Sequence, residues 1–160
     1  MADTQIGDVV EHGPARDAVA GAIGQRIAAE GGAALVIDYG DWRSKGDTFQ
    51  AVRAHGPVDP LADPGTADLT AHVDFEALSA AFGAGVEVSP MIPQGVFLER
   101  LGITALAQAL ARGLGGAALE NHVAAHRRLT HGDEMGTLFK VIGVRPQGAP
   151  QLPGLEPLAP

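Results

Sequence analysis

The segment Ala33-Ala34-Leu35-Val36-Ile37-Asp38-Tyr39-Gly40 decides the fold class. Its apolar run leaves neither alternating face polar and then meets an acidic residue, an aromatic and a glycine. That is the pattern of a strand covered by helices on both sides, as in parallel α/β sheets. Upstream, Gly13-Pro14 followed by Val19, Ile23 and Ile27 predicts a helix with one buried face. The proline suits its first turn, and Gly31-Gly32 terminates it. Downstream, Asp41 to Ala71 carries turn chemistry at Gly46-Asp47, Gly56-Pro57, Asp59-Pro60 and Asp63-Pro64-Gly65. Loops of this length are commonly functional or disordered; Trp42, Phe49, Val52, Val58, Leu61 and Leu69 argue for an ordered one.

Asp74 is placed to cap a helix over 75–82, with Val73 and Leu78 spaced as a hydrophobic staple. The alternation Val86-Glu87-Val88-Ser89 predicts a short strand, and helical stretches follow from Val96 to Leu101, from Ala105 to Arg112 and from Ala117 to Leu129. Leu138 to Val144 reads as the last strand, and Asp8 to Glu11 is a candidate for one more. Five prolines between Pro146 and Pro160 exclude regular structure, giving a domain over 1–145 and a flexible Pro-rich tail over 146–160. Three or four strands are too few to hold Leu35 to Ile37 in an interior position. The sheet is therefore incomplete: another chain completes it, or the sequence is part of a larger doubly wound domain.

Composition narrows the class further. In 160 residues, 46% are hydrophobic and 19% charged, which fits one globular domain and excludes global disorder. Eleven basic against 19 acidic residues give a net charge of −8. The only clustered bases, Arg127 and Arg128 beside His126, do not make the basic stripe that nucleic acid requires. The absence of cysteine excludes disulfides, thiolate zinc sites and thiol nucleophiles. No apolar run approaches the ~18 residues of a spanning helix, so no membrane insertion is expected. Met1 to Gln5 has neither a basic nor an apolar leader region, and a cytoplasmic location is the expectation.

Ligands of open α/β sheets lie off the C-terminal ends of the strands, which singles out Asp38, Tyr39 and Gly40. An aspartate there is also a common turn former. Between Asp68 and Asp74, two carboxylates, the Thr70 hydroxyl and the His72 imidazole fall within one short segment. They suit proton transfer or the holding of a cationic group. The alternative is a helix-entry loop in which Asp74 caps, Asp68 closes a turn and His72 is solvated. His122 and His126 stand on one face of a helix at metal-ligand spacing, but no acidic residue completes a zinc-protease motif, and a solvated polar face accounts for them. Gly83-Ala84-Gly85 and Gly113-Leu114-Gly115-Gly116 do not sit between a strand and a helix, so they are helix stops and not phosphate cradles.

Six ordered blocks carry a resemblance: Ala33 to Gly40; Gly46-Asp47-Thr48-Phe49-Gln50-Ala51; Asp59-Pro60-Leu61 through Pro64-Gly65; Asp68 to Phe75; Gln94-Gly95 with Phe97-Leu98 and Leu101-Gly102; and Met135-Gly136 with Phe139-Lys140-Val141. Together they resemble the MidA family of S-adenosylmethionine-dependent methyltransferases. A mitochondrial relative in that family methylates an arginine on a core subunit of respiratory complex I during assembly. The resemblance runs from about Ile6 to Val144 and corresponds to the C-terminal half of the family's length. It implies the last strands of a class I methyltransferase (Rossmann-like) sheet, and so accounts for the missing ones.

The resemblance implies S-adenosylmethionine as the donor, but the family's donor-binding motifs have no matching positions here, and no metal is implied. Substrate-side residues carry over as Asp38, Tyr39, Gly40, Asp47, Thr48, Gln50 and Thr70. Asp68, His72 and Asp74 are the catalytic candidates, able to pair with a guanidinium and to accept its proton. The implied partners are a protein substrate, such as a complex I core subunit, and either the missing N-terminal half or a second copy. A competing reading is a non-catalytic binding or assembly module, or an inactive remnant, that keeps the substrate-facing loops without donor binding.

Overall fold

The structure is a computed structural model that describes residues 4–156. In chain order its elements are α1 (Pro14–Glu30), β1 (Ala34–Asp41), β2 (Gln50–Arg53), β3 (Gly56–Val58), β4 (Asp68–Thr70), β5 (Val73–Asp74), α2 (Phe75–Ala81), β6 (Val86–Val88), β7 (Ile92–Pro93), α3 (Gln94–Arg100), α4 (Ile103–Ala111), α5 (Gly116–Thr130), α6 (Met135–Leu138) and β8 (Phe139–Pro146). The main sheet has the order β5-β1-β8-β6, with β7 also pairing β8. β8 runs antiparallel to β1 and to β6, so β1 and β6 are parallel to each other, and β5 adds two residues parallel to the end of β1. The sheet is mixed where the apolar run alone suggested a parallel one.

α1 begins at Pro14 and stops where the Gly31 N–H donates to the Ile27 carbonyl at 2.9 Å. Its buried stripe differs from the expected one. Ala20, Gly24 and Ile27 face inward, while Val19 and Ile23 are exposed. The reason is close approach: a Cβ at Gly24 would lie 2.0 Å from the Phe82 carbonyl oxygen, so Ala20 and Gly24 take the inward face beside Ile27 while Val19 and Ile23 turn outward. Phe75, Leu78 and Phe82 from the α2 region join Ile142 and Val144 of β8 in this core layer, with Ala34 and Val36 of β1 packed against it.

The other face is covered unevenly. Over β8, Val141 packs with Ile92, Phe97 and Leu155. Over β1 no described element lies on Leu35 and Ile37, which remain 52% and 45% exposed. Covering on both sides, expected from the apolar run, is therefore realised on one face only. Among the described residues, 34–39 of β1 also pair on one side alone, with β8.

Two more expectations change. Residues 8–11 form no strand. The long turn-rich segment is ordered by a second sheet, β3-β2-β4, antiparallel throughout. Residues 147–156 are irregular, as their prolines dictate, but they are packed down: Leu155 is fully buried, with Leu152 against the same cluster. A Cβ on Gly143 would meet Leu155 and Leu152 side-chain carbons at 2.4 and 2.7 Å, so that glycine leaves the space the segment fills. A flexible tail thus does not describe residues 146–156; residues 157–160 lie outside the described residues.

Candidate functional site

The end of β1 sets the position of the site. Gly40 pairs with Val73, and a Cβ there would lie 2.1 Å from the Val73 carbonyl oxygen, so only glycine lets β5 close on β1. This brings His72 beside Tyr39, their rings in edge contact with centroids 5.8 Å apart. Phe139, opposite Tyr39 across the β1–β8 ladder, also meets the tyrosine ring edge-on, with centroids 5.4 Å apart. Tyr39 thus links Phe139 and His72 in one aromatic row at the C-terminal end of β1.

A cleft in two parts of about 310 and 220 Å³, sharing Glu11, His12, Arg16, Ser44 and Asp74, adjoins this row at His72, which lines the smaller part. Its floor is tied together across the sequence. Glu11 accepts from both the backbone N–H (3.0 Å) and the hydroxyl of Thr48, and the Thr48 oxygen accepts from the His72 N–H at 2.9 Å. The Gly46 N–H donates to the Val9 carbonyl at 3.0 Å, fixing the same loop. On the far wall Arg43 grips Glu76 through two nitrogens, at 2.7 and 2.9 Å. Those hydrogen bonds are the main reason the Glu76 carboxyl is held below its usual range, against opposing desolvation.

The predicted site residues divide into those this geometry gathers and those it does not. Tyr39, Gly40, Thr48, His72 and Asp74 come together. Asp74 also caps α2, accepting the Ala77 N–H at 2.8 Å. Asp38 accepts its neighbour Tyr39's N–H, and Asp47 that of Phe49, both local turn bonds. Gln50 and Thr70 pair across β2–β4. Asp68 stands exposed opposite Val52 and lines neither part of the cleft. The structure does not bring it into the cleft. Glu11, Arg43 and Glu76 escaped the sequence reading, since each finds its partner more than 30 residues away.

His122 and His126 do not face solvent as a polar surface. His122 Nε2 bonds the Ala107 carbonyl at 2.9 Å, and His126 Nε2 bonds the Thr104 hydroxyl at 3.0 Å. Because Thr104 donates its own proton to Glu99, its oxygen is the acceptor and His126 carries the Nε2 proton. Both imidazoles therefore fasten α5 to α4.

A cleft that reaches His72, off the C-terminal end of β1, lies where open α/β sheets bind their ligands. The chain belongs to the family described as "putative S-adenosyl-L-methionine-dependent methyltransferase", whose model matches residues 1–92. Among its relatives, the mitochondrial protein arginine methyltransferase NDUFAF7 of Xenopus laevis is 37% identical over 151 residues, covering 90% of this chain and 33% of that protein. The human protein of that name is 45% identical over 96 residues, 60% of this chain and 22% of its own length. A crystal structure from Burkholderia thailandensis bound to S-adenosyl-homocysteine superposes with a TM-score of 0.67 at 31% identity, covering 87% of this chain and 38% of that one.

The chain thus spans about a third of the length of the curated relatives it matches, less than the half that the resemblance implied. The fold is part of a class I-like methyltransferase architecture. One expectation is corrected: the relatives are named mitochondrial, which overturns the cytoplasmic location read from the chain's first residues. Among the described residues no helix is long and apolar enough to cross a membrane.

The family's donor is S-adenosylmethionine. The described residues do not fit a donor site built on a glycine-rich turn between strand and helix. β1 leads into the loop before β2, β5 enters α2 through the Asp74 cap, and β7 enters α3 at Pro93.

Proposed function

We propose that this chain is the acceptor side of a protein arginine methyltransferase of the complex I assembly type and works with a donor-binding portion. One observation carries the reading. The stretch matched by the family model, residues 1–92, holds every residue that lines the cleft, and no donor turn lies among the described residues. The NDUFAF7 names support arginine in a protein as the acceptor.

The smaller part of the cleft suits a guanidinium: Glu11 and Asp74 line it, and the arginine there, Arg16, is turned onto Asp17. A guanidinium nitrogen that gains a methyl group must give up a proton, and we assign its uptake to the His72 imidazole, the cleft histidine that the Thr48 and Tyr39 contacts hold in place. Asp68, outside the cleft, is assigned no part in that step.

The test is methyl transfer from labelled S-adenosylmethionine to a complex I core subunit, with the chain alone and after co-expression with the donor-binding portion of a relative. Transfer only with both parts, abolished in His72→Ala at unchanged donor affinity, is the expected result. Tight binding of the subunit without transfer in the combined protein would instead identify a binding module.

A further inference from the structure

Glu11 lies outside the six blocks that carry the resemblance, and the strand expected around it does not form. Yet its carboxylate is the anchor of the only chain of hydrogen bonds that reaches the His72 backbone from across the cleft among the described residues. Both carboxylate oxygens are used on one residue, Thr48, one by the backbone N–H and one by the hydroxyl. A hydroxyl that donates into a carboxylate has its oxygen lone pairs strengthened as acceptors, and the Thr48 oxygen accepts the His72 N–H. Residue 11 thereby fixes residue 48, and residue 48 fixes the backbone from which the imidazole projects onto Tyr39.

We infer that Glu11 is a positioning residue: through Thr48 it holds the His72 imidazole against Tyr39 at the cleft mouth. Neither neighbour in sequence does this. Ala71 is exposed, and the Val73 pairing with Gly40 orients the chain beyond His72 without constraining the residue itself. Glutamate suits the task because two acceptor oxygens at fixed separation are needed; an amide offers one oxygen and turns an N–H toward the second donor. Threonine suits the middle position because its hydroxyl donates and accepts together.

That this positioning serves catalysis rests on the reading of His72 as the proton acceptor, and the experiment separates the two. In the full chain, nuclear Overhauser effects between the His72 and Tyr39 rings and hydrogen exchange at the His72 amide are measured for Glu11→Gln, Thr48→Val and Thr48→Ser. Disappearance of the ring-to-ring Overhauser effect and about tenfold faster exchange in the first two, with Thr48→Ser retaining the parental values, are expected. A general destabilisation would instead speed exchange throughout the core, including Ile142. An unchanged Overhauser effect and unchanged His72 exchange in both Glu11→Gln and Thr48→Val would overturn the inference. The same variants are then assayed for methyl transfer beside the donor-binding portion. Parental turnover in variants whose two rings have separated would leave the clamp standing and remove His72 from the chemistry; turnover about tenfold lower at unchanged donor affinity supports both.

Discussion

Asp74 lines the cleft and, with the same side chain, caps α2 through the Ala77 N–H. Substitutions separate the two roles. Asn caps nearly as well as Asp, so Asp74→Asn should leave the thermal midpoint near parental, whereas Asp74→Ala should lose about 1 kcal/mol. Asp68, exposed on β4, should tolerate Asn within about 0.5 kcal/mol and without effect on turnover. A drop in turnover for Asp68→Asn would return that residue to the site.

Glu76 gives the pH dependence at this scale. Its carboxyl is held below its usual range chiefly by Arg43's hydrogen bonds. A depressed carboxylate contributes stability that is present above its unfolded-state value and disappears as pH falls through its folded one. The parental chain should therefore lose stability more steeply than Glu76→Gln as pH falls through and below the ordinary carboxylate range. Urea unfolding at a series of pH values measures the difference, and the pair's exposure keeps it small. Legibility at this scale followed distance along the chain. The Asp74 cap was readable because its partner is three residues away, while the Glu11–Thr48 and Arg43–Glu76 pairs close over 37 and 33 residues and leave no local pattern.

Elements were legible where periodicity had length to act on. α5 and β8 fell close to their expected limits, and α2 began at the residue whose capping chemistry announced it. The small β3-β2-β4 sheet was not, because Gly56-Pro57 inside β3 carries turn chemistry and β2 and β4 lie in the same turn-rich segment. The segment after β8 was illegible for another reason: prolines exclude regular structure but do not prevent packing, and the space for Leu155 is made by Gly143 on a different element. The segment is consequently part of the core. Leu155→Ala should cost about 2–5 kcal/mol in urea unfolding, as truncation of a fully buried leucine does. A cost near zero would mean that the segment is dispensable to the fold.

For the whole molecule the informative feature is β1. Its apolar sequence anticipated burial on both faces, and the structure provides it on one, leaving Leu35 and Ile37 exposed beside a backbone edge that residues 34–39 do not use among the described residues. A strand of that composition is built for more neighbours than this chain supplies, and the relatives, about three times longer, have the polypeptide to supply them. Incompleteness was therefore readable from strand count, although which face would be bare was not, since that depends on where α1 and α2 dock. The central claim is that the chain carries the acceptor side without the donor side. Calorimetric titration of the chain with S-adenosyl-homocysteine, alone and in complex with the donor-binding portion of a relative, tests it most directly. The account predicts no measurable heat for the chain alone and saturable binding for the complex; micromolar binding to the chain alone would contradict it.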